Sequence, residues 1–155
     1  MEEYLREKKR EYSEERKTPY SLEDLRNIMR ILRSEEGCPW DRRQTFESMV
    51  SCVTEEAKEV VQAVKQQDMD NLCEELGDLL FQVVFYSQMA QEQGLFTFEQ
   101  VVDGISAKMV RRHPKVFGGR VPETDEKEGS QWEQIKRAEK AEKARAQKLK
   151  KHKKP

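Results

Sequence analysis

Apolar residues along this chain recur at helical spacing, and no stretch shows the alternation of a strand. Leu22, Leu25, Ile28, Met29 and Leu32 follow Ser21, a residue type suited to an N-cap, and predict a first helix over about residues 21–35, ended by Gly37. Cys38-Pro39-Trp40-Asp41 reads as a turn carrying a large aromatic side chain. A second helix is predicted from Thr45 to about Gln67, with Val50, Val53, Ala57, Val60, Val61 and Val64 on one stripe. After a short break at residues 68–70, a third helix runs to about Gln93 and stops at Gly94. Thr97 and Gln100 have the spacing of a capping box for a fourth helix, which lasts to about Arg112 and breaks at His113-Pro114. A loop begins at Phe117-Gly118-Gly119. Ser130 with Glu133 then opens a final helix that enters a lysine-rich end. The pattern is that of an all-α protein, a helical bundle of about five helices.

Composition adds a constraint. Of 155 residues, 35% are hydrophobic and 38% charged, which is little core material for so many charges. The apolar residues concentrate at 79–90, where the third helix is apolar nearly all round and needs cover on more than one side. Completion of the bundle by homodimerisation is therefore expected. Charge is also uneven. The net charge of −1 combines +8 over residues 134–155 with −9 over the rest. Three parts follow: a charged N-terminal extension (1–19), a helical domain (20–140) and a basic C-terminal tail (141–155), which could meet nucleic acid or acidic partners. Three cysteines without CxxC spacing and no signal peptide suit a reduced, cytoplasmic protein. No apolar run is long enough to span a membrane.

Candidate chemistry lies in acids. Glu56 and Glu59 follow Glu55 on the second helix, and Glu75 and Asp78 lie on the third, each pair three residues apart and so on one helical face. Both pairs lean toward an apolar stripe, where an unpaired carboxylate is costly. Such acids are expected to turn inward around a cation. Hard oxygen donors select magnesium, with manganese as a possible substitute. A di-iron bundle would need Glu-x-x-His on two helices, and the chain has only His113 and His152 and no such motif. Magnesium commonly bridges to phosphates, and Lys108, Arg112 and Lys136 are cations able to meet them.

Five segments together are recognisable: Gly37-Cys38-Pro39-Trp40-Asp41, Glu55-Glu56-Ala57-Lys58-Glu59, Glu74-Glu75-Leu76-Gly77-Asp78, Arg112-His113-Pro114-Lys115-Val116-Phe117 and Trp132-Glu133-Gln134-Ile135-Lys136. Over about residues 21–140 the chain resembles the MazG family of all-α nucleoside triphosphate pyrophosphohydrolases. The resemblance implies a homodimer that hydrolyses an NTP or dNTP to the monophosphate and pyrophosphate with magnesium, clearing unwanted nucleotides. It implies metal ligands Glu56, Glu59, Glu75 and Asp78, a supporting acid at Glu55, and substrate contacts at Lys108, Arg112, Trp132 and Lys136. Trp132 could stack on a base or pack in the core. Trp40 reads as structural, with a share in the base pocket left open. The chain departs from the family in having Lys115 where the motif often has His, in carrying one domain where many members carry two, and in its charged extension. Two other readings stay open: a non-enzymatic dimeric module binding through the basic tail, and a pyrophosphatase narrowly specific for one dNTP or an alarmone.

Overall fold

The structure is a computed structural model that describes residues 2–13, 19–118, 132–142 and 144–145. The basic tail from residue 146, the segment 119–131 and the Ser130 cap lie outside the described residues. All regular structure among the described residues is helical, with no strand. The chain divides into two compact units, Met1–Val101 and Val102–Pro155.

The first unit begins with α1 (Glu2–Ser13), inside the charged extension. It packs on α2 (Leu22–Arg33), where Tyr12 Oη donates to Asp24 and Asn27 donates to Tyr4 Oη. Ser21 caps α2 as its sequence suggests, in a reciprocal box with Asp24. After α2 the Cys38 amide reaches back to the Leu32 carbonyl, 2.7 Å away. Gly37 is needed for that reversal, because a Cβ there would stand 2.2 Å from the Ile31 oxygen.

Two expected boundaries differ. Cys38-Pro39-Trp40-Asp41 is no simple turn, since α3 (Pro39–Arg43) begins within it. Pro39 stands at the first helical position, where its missing N–H costs nothing and its φ is already helical. Thr45 does not open the second long helix. Thr45 and Ser48 bond reciprocally across a turn, and α4 (Val50–Gln66) starts after it. Trp40, on α3, is 52% exposed.

α4 and α5 (Met69–Glu92) form a helical hairpin. Its turn is short because Gln67 adopts a left-handed conformation (φ 57°) and Asp68 caps α5 through the Asn71 amide. The core gathers on the second half of α5, where Val84, Phe85 and Met89 pack with Met29, Met49 and Phe98. Much of the valine stripe is not core: Val50, Val61 and Val64 are each more than half exposed. Leu76, Leu80 and Val83 on α5 are exposed too. Hydrophobic spacing marks a face for burial without saying what buries it.

α6 (Phe98–Arg112) starts with the Thr97–Gln100 box, both bonds of which form. In the second unit it continues to Arg112, His113 interrupts it, and α7 (Pro114–Phe117) follows. A further helix, α8, covers residues 132–142. No helix among the described residues is long and apolar enough to cross a membrane.

Candidate active site

The hairpin sets the acids of α4 against those of α5. One carboxylate oxygen from each of Glu56, Glu75 and Asp78 lies within 4.8 Å of the others. Glu59 falls outside this triad, although it is close enough to share a hydrogen bond with Glu56. Glu55 is exposed on α4. The inward turn expected of all the acids is only partial. Glu56, Glu59 and Glu75 are half-buried, while Asp78 is exposed. The reason is that Leu76, Gly77 and Asp78 all lie open, so α4 covers this part of α5 on one side only.

Crowding has an electrostatic result. Partial burial, then the charges of Asp78 and Glu59, push the Glu56 carboxyl above its ordinary value. Partial burial, with Glu59 and Asp78 behind it, does the same to Glu75. Three acids held this close repel one another unless a proton or cation lies between them. The donor set is all oxygen, which fits a hard divalent ion. One turn beyond Asp78 on the same face is Gln82, buried, with its Oε1 lacking any hydrogen-bond partner among the described residues.

The predicted substrate contacts all lie in the second unit. Arg112 is the best anchored. Its guanidinium covers the Trp132 ring at 5.0 Å and donates from Nε and Nη2 to Glu139 Oε2, at 3.0 and 2.6 Å. His113 lies 4.9 Å from the same indole, and its Nδ1 meets the Met109 carbonyl at 2.7 Å, so that nitrogen carries the proton. Trp132 is thus packed against two side chains, with Arg112 on one face. Lys108 is half-buried on α6. Lys136 is exposed and pairs with Glu133 at 3.4 Å.

Comparison with known proteins explains the combination of motifs. Residues 44–117, which contain the whole carboxylate triad, match the MazG nucleotide pyrophosphohydrolase domain. The chain belongs to the MazG family. It is 49% identical over 116 residues to a nucleoside triphosphate pyrophosphohydrolase of Escherichia coli, covering 74% of this chain and 44% of that protein. It is 46% identical over 115 residues to the nucleoside triphosphate pyrophosphohydrolase/pyrophosphatase MazG of Thermotoga maritima, with coverage of 74% and 44%. The chain spans less than half the length of the curated relatives it matches. A crystal structure of a mazG-related protein from Thermotoga maritima superposes with a TM-score of 0.61 at 28% identity, covering 75% of this chain and 99% of that one.

Within this MazG chain three residues escaped the sequence reading. Gln82 sits in a predominantly apolar run, and its spacing of four from Asp78 was the available signal. Arg33 and Glu139 act through partners 59 and 27 residues away, which helical periodicity does not encode.

Proposed function

We propose that this chain is a magnesium-dependent nucleoside triphosphate pyrophosphohydrolase, acting on NTPs or dNTPs in the cytoplasm as a homodimer. The observation that carries the reading is the convergence of Glu56, Glu75 and Asp78 oxygens within 4.8 Å on a MazG domain. Names of relatives at up to 49% identity support the same activity.

Glu56, Glu75 and Asp78 hold the metal, and Glu59 is the fourth ligand assigned. When bound, magnesium neutralises phosphate charge and favours ionisation of the attacking water. The reaction is hydrolysis at the α-phosphorus. The water oxygen bonds to that phosphorus, the bridge to the β-phosphate breaks, and the products are the monophosphate and pyrophosphate. Glu55 supports the ligand acids from the exposed side of α4. Lys108, Arg112 and Lys136 balance phosphate charge, and Trp132 borders the nucleotide. The dimer reading rests on the bare ridge of Leu76, Leu80 and Val83, together with the exposed valines of α4.

A panel of NTPs and dNTPs with magnesium tests the proposal when products are resolved. Monophosphate and pyrophosphate are expected. Diphosphate and orthophosphate, or no turnover of any nucleotide, would overturn it.

A further inference from the structure

Two adjacent arginines, Arg111 and Arg112, converge on one carboxylate. Arg111 Nε donates to Glu139 Oε1 at 2.6 Å, while Arg112 donates twice to Oε2. Arg111 is more than half exposed, whereas the Arg112 and Glu139 side chains are only 14% and 15% exposed. The Arg112–Glu139 pair is therefore largely desolvated, and its geometry is fixed on three sides by Trp132, Glu139 and its own helix. The ordering matters because a free arginine has many rotamers, and fixing one costs entropy at the moment an anion binds.

The donor inventory shows what is left over. A guanidinium has five N–H groups in a planar fork. Glu139 engages Nε and Nη2 and leaves Nη1 without a hydrogen-bond partner among the described residues. Two arginines against one glutamate also leave a net charge of +1. Hydrogen bonds from both arginines hold Glu139 below its ordinary value, so the clamp stays charged at neutral pH. The result is a half-used fork with surplus positive charge, an arrangement suited to a phosphate oxygen.

We infer that Glu139 is a positioning residue that locks Arg112 and presents its free Nη1 edge to a phosphate of the substrate. The inference rests on the proposed role of Arg112 in substrate binding. Glu139 itself does not touch the nucleotide. Its carboxylate takes the inner edge of the fork, so Arg112 is already oriented when the triphosphate arrives.

Steady-state kinetics on purified full-length variants test this. Glu139→Gln keeps the shape but loses the charge, and is expected to raise KM about tenfold with kcat within about twofold. Glu139→Asp should recover part of the KM, because a shorter carboxylate still pairs with arginine. Arg112→Lys should raise KM similarly, and adding Glu139→Gln to it should change KM little further, since both act through one fork. An unchanged or lowered KM in Glu139→Gln would overturn the inference, as would independent, additive effects of the two substitutions. If Arg112→Lys alone leaves KM unaltered, the assignment of Arg112 fails and the inference fails with it. Absence of pyrophosphate from the wild-type protein is a different failure, that of the proposed function. Circular dichroism separates both from unfolding, and if Glu139→Gln unfolds, Glu139→Asp carries the test.

Discussion

Arg33 grips Glu92 across the first unit with three hydrogen bonds, from Nε at 2.9 and 3.0 Å and from Nη2 at 2.7 Å. The same guanidinium donates to the Asp41 carbonyl at 2.5 Å and lies 5.3 Å from the Phe85 ring centre. One side chain thus ties α2, the Pro39–Arg43 helix and the end of α5 together. Arg33→Met keeps the apolar stem and removes every donor. Chemical unfolding is expected to show a loss of about 2 kcal/mol, the order set by leaving partly buried acceptors unpaired. A loss below about 0.5 kcal/mol, the range of an ordinary surface change, would contradict this role.

The acids proposed as metal ligands give a second expectation. Glu56→Gln and Asp78→Asn each remove one charge from the triad with almost no change of shape. Activity should fall by at least about a hundredfold, as expected when a group that stabilises a charged transition state is lost. Magnesium binding should weaken in calorimetry, with the helical content unchanged. Near-normal turnover in either variant would mean that these acids do not hold the metal.

Acidity should act on the metal-free protein in a direction opposite to the usual one. Glu56 and Glu75 have folded values above the ordinary 4.5. Their protonation favours the fold, so this contribution is full below about pH 4.5 and disappears as pH rises through the raised values. Saturating magnesium should reverse the trend, since metal and protons compete for the same oxygens. Glu99 gives the contrast. Its own backbone N–H, Thr97 and Arg26 hold it at about 2, so its contribution is present above the ordinary 4.5 and is lost as pH falls toward about 2. Unfolding curves of Glu56→Gln against wild type, from pH 4 to 8 with and without magnesium, check the sign. A pH dependence identical in the two proteins would refute it.

The bare ridge on α5 yields a test of assembly. Leu80→Glu and Val83→Glu place charge on positions already exposed in the chain, so each protomer should lose less than about 1 kcal/mol. If a second copy covers this ridge, sedimentation should show the wild type as a dimer and both variants shifted toward monomer. A wild-type monomer, or dimers indifferent to both charges, would rule out this face.

Local chemistry was the legible part of the fold. The Ser21 and Thr97 caps are bonds between residues three apart, and Gly94 has the positive φ (66°) that a helix stop of this kind uses; the Asp68 cap, of the same spacing, lay in what reads as a break. Thr45 misled because its bonds with Ser48 satisfy the same groups in a turn as in a helix start. The acids were legible as pairs, since each pair shares a helical face. Their meeting depends on how the hairpin docks, and the place of Glu59 beside the triad reflects that register. The exposure of Val61 and Val64 has a different cause: burial is set by neighbours, and periodicity carries no information about which neighbour arrives.

Cys73 adds a practical consequence. It is exposed on the same helix as Glu75 and Asp78, whereas Cys38 and Cys52 are half-buried. A thiol-selective dye therefore finds its most open target two residues from Glu75. The native chain thus comes with its own attachment point for a fluorescent reporter of ion loading, and no engineered cysteine is required.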